Sequence, residues 1–413
     1  MSLPGRRLLA TVALSWITGV AAVNASAAPP DSTWVPLKPL PGQGRVALFA
    51  IAVDPTNNQV VVAANSQGTL LRSINGGGSW ATVRSGGPTV NAISFNPYTA
   101  GFVLAGTRGG GALASKDGGA TWSSATGLEG RNVRVFGFAL TLSVAGTDRG
   151  VYTSADGLSW AQSGLTGPSI SAVAVEAIHT PVRLIAGTDA EPSGGALSMW
   201  QSLDGGATWK RSTPAMAGTM TLRLVSGPLP PVGNVRPLLA GTNTGMYAST
   251  DNGATFNPLS GGGLLPTTDY TQAVFLASHH DRYYVASDGG GSGSGGLWRT
   301  TDGGQTFASL QPPQHSVTAL AISSDEQPTL YVAVFQPSTH VASLWTYHDT
   351  FGPPVGPATS PTPVASGPRL HTASDNGLSN LLSSPVLPYL ALGVGALAVI
   401  LAAVVAHFRG RYR

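Results

Sequence analysis

The sequence predicts an all-β protein: a seven-bladed β-propeller of four-stranded antiparallel blades, followed by one C-terminal transmembrane α-helix. Three observations predict it. A short phrase returns six times, as SINGGGSW from Ser73, SKDGGATW from Ser115, SADGLSW from Ser154, SLDGGATW from Ser202, STDNGATF from Ser249 and TTDGGQTF from Thr300. Its Asn or Asp falls at Asn75, Asp117, Asp156, Asp204, Asp251 and Asp302, at intervals of about 40–50 residues, the length one such blade requires. A seventh unit without a box ends one strand short, and the segment STWVPLKPL from Ser32 reads like the missing strand. Pairing the two would close the ring and remove open sheet edges. Six blades is the alternative count.

Each stretch between boxes fits the blade. An apolar strand comes first, as in AISF from Ala92 or VAVE from Val173. A second follows, usually ending in Ala-Gly-Thr, as at Val103, Ser143, Leu184 and Leu238. A third enters the box, as in VYTS from Val151 or MYAS from Met246, and a fourth leaves it, opening on Trp or Phe. The box is hairpin chemistry. Its carboxylate accepts backbone N–H groups, its Gly supplies positive φ, and Ser or Thr fixes the other side. The Ser154 box is one residue shorter and predicts a tighter turn. The terminal aromatic is expected to pack against the neighbouring blade.

Composition limits the chemistry. With no cysteine among 413 residues, the chain has no disulfide, no thiolate nucleophile and no Cys-ligated metal. The formal charge of +3 is carried by the ends. Setting aside Arg6, Arg7, Arg409, Arg411 and Arg413 leaves 17 basic residues against 19 acidic ones. That balance offers no case for nucleic acid, which needs a clustered basic face.

The ends predict topology. Residues 1–27 read as a signal peptide: Arg6-Arg7, an apolar stretch from Leu8 to Val23, and Ala25-Ser26-Ala27 as a cleavage site. The Arg pair leaves both the general secretory and the twin-arginine routes open. The propeller is assigned to 28–351. Residues 352–384 form a linker rich in Pro, Ser, Thr and Gly, expected to be an extended stalk. The segment 385–408 is expected to cross the membrane. Its run from Tyr389 to Phe408 holds no Asp, Glu, Lys or Arg, and 20 residues at ~1.5 Å each span a core of about 30 Å. The basic tail 409–413 marks the cytoplasmic side. The expected location is thus the cell membrane, single-pass, with the propeller extracytoplasmic.

The repeated phrase resembles the Asp-box, or bacterial neuraminidase repeat, family over about Ser32 to Phe351. Five phrases keep Asp and all six end in an aromatic residue. That family includes sialidases, xyloglucan-cleaving endoglucanases, sortilin-type receptors and photosystem II assembly-factor propellers. The opening, from TWVPL through AIAVDP to GTLLRSINGGGSW, looks most like the last group. The resemblance implies that the box residues are structural, and it suggests a role in assembling a membrane complex. Fold likeness does not transfer an activity.

Any ligand is expected on the face opposite the boxes, where the strand-2 to strand-3 loops and inter-blade loops surround the central channel. Those loops supply Arg108, Asp148, Arg149, Asp189, Glu191, Asn243 and Asp288, and then Glu129, Arg131, Arg134, Asp269, Tyr270 and His315. Of these, Arg108, Arg131, Arg134, Arg149, Glu191 and Tyr270 are the binding candidates. The loops Asp189–Ser198, Asp288–Gly296 and Gln336–Ser343 look long.

Enzyme chemistry fits less well. A sialidase needs three converging arginines, a Tyr–Glu pair and usually an Arg-Ile-Pro phrase, which is absent, and the chain has only four glutamates. The Arg-Thr-Asp-Val-Gly-Gly type of phrase of the xyloglucan-cleaving group is absent too. A glycosidase needs two carboxylates roughly 5–10 Å apart; Asp148, Asp189 and Asp288 are the catalytic candidates under that alternative. His279-His280-Asp281 reads as a polar turn, because adjacent strand residues point to opposite faces. No cofactor or metal site is expected. The favoured expectation is a non-enzymatic scaffold that binds a protein or glycan at the outer membrane surface. The alternative is a surface glycoside hydrolase.

Overall fold

The computed structural model describes residues 32–352, apart from residues 39, 41–47, 191–196 and 292–293. The expected signal peptide, the linker from residue 353, the apolar segment at 385–408 and the basic tail lie outside the described residues. Among the described residues, no helix is long and apolar enough to cross a membrane.

Seven four-stranded antiparallel sheets form the blades of the propeller. Blade 1 runs from Leu48–Asp54 to Ala81–Arg84, and blade 6 from Gln272–Phe275 to Ala308–Ser309. The first strands of blades 2 to 5 are Val90–Phe95, Val133–Ala139, Ile170–Glu176 and Thr221–Ser226. Blade 7 is composite. Its first three strands, Ser316–Ile322, Thr329–Gln336 and Val341–His348, pair with Trp34–Pro36 from the other end of the chain. The register is Trp34 opposite Tyr347, Val35 opposite Thr346 and Pro36 opposite Trp345. Six blades are therefore excluded, and the closure read from Ser32 onward is present.

The boxes sit in the strand-3 to strand-4 turns with one repeated bonding scheme. In blade 2, the Ser115 hydroxyl donates to Asp117 at 2.7 Å and accepts the Gly119 N–H at 2.9 Å. Thr121 donates its N–H and its hydroxyl to the two Asp117 oxygens at 2.9 and 2.6 Å. Gly119 has φ +83°, and a Cβ there would stand 2.7 Å from a Val62 methyl, so both backbone and space require glycine. The Ser154 box is tighter: Gly157 N–H reaches Ser154 three residues back, where the other boxes span four. Box glycines also donate to the strand-1 to strand-2 turn of their own blade, as Gly118 to Gly101 and Gly303 to Asp281.

Each junction between blades holds its own apolar cluster, and each cluster contains one aromatic from this position. Trp80 packs at the blade 7–1 junction, Trp122 at 1–2, Trp160 at 2–3, Trp209 at 3–4, Phe256 at 4–5 and Phe307 at 5–6. Trp34 supplies the seventh, at 6–7. Burial is uneven: Trp160, Phe256 and Phe307 are buried, while Trp80, Trp122 and Trp209 are half-buried.

One loop expectation is corrected. Gln336 pairs with Val341, so the hairpin of blade 7 takes up half of the stretch read as a long loop and turns over residues 337–340.

Candidate functional site

The first strands line the central channel. Near the rim, blades 1 to 5 and blade 7 slip their pairing by one residue between the first and second strands. In three of these blades the residue left unpaired staples its blade to the next. Asn91 donates to Val133 O at 3.2 Å, Ser171 to Thr221 O at 2.5 Å and Thr318 to Leu48 O at 3.1 Å. A bulge of this kind re-aims a side chain at a sheet edge, and here it gives the channel mouth a polar collar.

One step inside the collar, register makes seven positions equivalent. They are Ala50, Ala92, Val135, Ala172, Arg223, Gln272 and Ala319, paired with Ala64, Gly106, Gly146, Gly187, Gly241, Ala286 and Ala333. Five are small and apolar, which leaves a channel of about 290 Å³. The two polar positions are adjacent. Arg223 Nε donates to Ala273 O and Gln272 Nε2 to Thr318 O, each at 3.4 Å. Among the described residues, the charged ones lining the channel are Arg134 and Arg223, and none is acidic. Burial lowers the Arg223 pKa from its ordinary value, since removing a guanidinium from water disfavours the charged form.

The rim candidates separate into distinct roles. Arg134 is ion-paired with Asp189, and both are half-buried. Asp148 accepts the Asn132 N–H at 3.0 Å. Glu129 accepts the Gly127 N–H, and Asn243 accepts the Thr219 N–H at 3.0 Å, so both hold loops. Arg108 and Arg149 are exposed and Arg131 is half-buried; none is ion-paired among the described residues. Their loops are tied together, with Gly111 N–H on Arg131 O and Asp148 N–H on Asn132 O, both at 3.1 Å. The three arginines thus occupy one arc across blades 2 and 3. His315 is exposed. Glu191 lies outside the described residues. Tyr270 is corrected: it is fully buried against Trp298, with its hydroxyl on Leu265 O at 2.6 Å, because its side chain turns into the 5–6 junction.

Asp288 behaves unlike the other acids. It is hydrogen-bonded to Asp269, and burial, then that bond and the Asp269 charge, push its pKa up to about 6. Burial also pushes Asp269 upward, but hydrogen bonds from Asp288, Ser287 and Thr268 outweigh it and hold Asp269 below its ordinary value. The pair shares one proton across the range between them. Beside it lies a hollow of about 380 Å³ lined by Asn243, Thr268, Asp269 and Gly289 among others.

The far face carries other acids. Glu176 ends the first strand of blade 4, fully buried, and burial raises its pKa. His279, read as part of a polar turn, lies between Phe275 and Tyr283 and pairs with Glu326 at 2.7 Å. No group of three or more His, Asp or Glu placed to hold a metal occurs among the described residues. Sequence reasoning missed Arg223 and Gln272. Their signal was available as the two polar residues at a strand position where five blades carry Ala or Val.

No protein-family model matches this chain. No curated protein matches it either. Solved structures do. YCF48 from Cyanidioschyzon merolae is 15% identical with a TM-score of 0.52, over 76% of this chain and 99% of that one. YCF48 bound to D1 peptide is 15% identical with a TM-score of 0.50, over 76% and 94%. The GH74 xyloglucanase from Xanthomonas campestris is 15% identical with a TM-score of 0.55, over 77% and 56%. The chain spans just over half the length of the GH74 enzymes it matches. At these identities the likeness is one of fold, and it is to propellers that include both YCF48 and a GH74 xyloglucanase.

Proposed function

We propose that this chain is an Asp-box propeller, held outside the cytoplasm by its C-terminal apolar segment, that binds an anionic segment of a protein partner on its rim face without catalysis. The carrying observation is the state of the rim charges. Each of the three catalytic-candidate carboxylates is engaged within the fold: Asp189 by Arg134, Asp148 by the Asn132 N–H and Asp288 by Asp269. Arg108, Arg131 and Arg149 are left without a described acidic partner on one arc. Exposed arginines suit carboxylate recognition because the guanidinium fork matches its geometry. The peptide-bound YCF48 structure supports this reading by analogy of fold. A membrane tether would raise the local concentration of membrane partners and favour a role in assembling a membrane complex.

The test uses the full chain and a synthetic peptide rich in Asp and Glu. Saturable binding is expected, weakened at least ~10-fold when Arg108, Arg131 and Arg149 are replaced together by Gln, and weakened by salt. Binding unaffected by the triple replacement would overturn the reading. Protease shaving of intact cells should remove the propeller if it is extracytoplasmic.

A second reading, glycoside hydrolysis, is favoured by Asp288, since a general acid must retain its proton near neutral pH. Its partner Asp269 is in direct contact, whereas a glycosidase needs a gap of at least about 5 Å to seat the sugar. Turnover of aryl-glycosides abolished by Asp148→Asn, Asp189→Asn or Asp288→Asn would establish this reading over the first.

A further inference from the structure

We infer that Arg223 and Gln272 form an oxyanion-binding pocket inside the central channel that takes a carboxylate or phosphate group. The inference deepens the binding reading but is tested apart from it, because it concerns the channel wall and not the exposed arc.

Three observations carry it. First, among the described residues Arg223 has no carboxylate within salt-bridge reach, and its one hydrogen bond is the long one to Ala273 O. The other channel cation, Arg134, is neutralised by Asp189. Arg223 is half-buried, so its charge is partly withdrawn from water and an anion entering the channel would offset part of that cost. Second, Gln272 occupies the equivalent register position on the adjacent blade, so a neutral N–H donor stands beside the guanidinium. Together they offer charge and a second donor from one wall, the pairing that oxyanions favour. Third, the remaining five positions at that level are Ala or Val. They leave space without presenting an acceptor that would repel an anion.

The source of the group is either a free anion or a carboxylate carried by the partner. Both present the same chemistry to Arg223, and competition separates them.

The experiment titrates the full chain with inorganic phosphate and with acetate by calorimetry. One saturable site is expected, weakened at least ~10-fold by Arg223→Met and ~3-fold or more by Gln272→Ala, and unchanged by the triple Gln replacement on the rim. Arg223→Met should melt no lower than wild type, which shows that lost binding is not lost folding. If phosphate displaces the acidic peptide, the pocket receives a partner carboxylate; if the two bind together, it receives a free anion. Absence of binding by both probes, or equal affinity in Arg223→Met, overturns the inference. A failure of peptide binding with phosphate binding intact overturns only the protein-partner reading.

Discussion

Replacing Trp34 by Ala should open the ring at its one composite blade. Trp34 is 6% exposed, its indole N–H donates to Leu310 O at 2.8 Å, and its ring lies 5.0 Å from that of Tyr347. A buried Trp covers roughly 200 Å², worth about 5 kcal/mol at ~25 cal/mol per Å²; measured truncations of this kind cost about 3–5 kcal/mol. A folded unit of roughly 320 residues unfolds with an entropy near 0.7 kcal/mol/K at ~2.1 cal/mol/K per residue. The expected fall in Tm is therefore about 4–7 °C. Trp34→Phe keeps an aromatic ring but leaves the Leu310 carbonyl unpaired, for about 1–3 kcal/mol. Calorimetry gives both shifts. Hydrogen exchange gives their place: amides of Trp34–Pro36 and Val341–His348 should lose protection before those of blade 3. A Tm within about 1 °C of wild type for Trp34→Ala, or unchanged protection in Val341–His348, would refute the idea that this residue seals the ring.

Other perturbations follow from the same geometry. Asp349 is fully buried, pairs with Arg299 at 2.5 Å and accepts from Tyr284 and the Phe351 N–H, each at 2.8 Å. Asp349→Ala strands the Arg299 charge and should cost about 3–5 kcal/mol, whereas Arg299→Met with Asp349→Leu should recover most of it; equal melting of the single and double variants would contradict this. The box hydroxyls and N–H groups hold Asp117, Asp204 and Asp302 down to about 2, with burial opposing them. Their folded pKa values lie below the unfolded ones, so the stability they add is present above pH ~4 and lost as pH falls toward ~2. Replacing these three by Asn should flatten denaturant stability over that window, and an unchanged slope would refute the assignment. Asp288 has the opposite sign. Its pKa is raised to about 6, so its contribution favours folding at low pH and is lost as pH rises through ~6. Asp288→Asn should therefore raise Tm at pH 7.5 relative to its effect at pH 4; the reverse order would show that the shared proton is not there.

The fold was legible because its chemistry is local and repeated. Each box needs a carboxylate or amide, a glycine and a hydroxyl within a few residues, so Asp117 and Gly119 announce their turn without any distant contact. The tighter Ser154 turn was legible for the same reason. Closure was legible because Thr33-Trp34 copies the end of a box. The site was less so. Tyr270 looked like a rim residue by position, yet its side chain rotates into a junction where Trp298 receives it. Gln336 looked like a loop, yet it continues a ladder to Val341.

The repeat by itself determined the four-stranded blade and the position of its turns, since these follow from local bonding and even spacing, whereas seven blades over six was decided by the pairing of Trp34–Pro36 with Val341–His348. Only the tertiary structure decided which charges are spent. That Asp189 neutralises Arg134, that Asp288 leans on Asp269 and that Arg223 stands in the channel without a described acidic partner depend on residues 19 to 55 positions apart or on different blades. The physical reason is that a side chain's charge state follows from its neighbours across space, which a one-dimensional pattern does not specify.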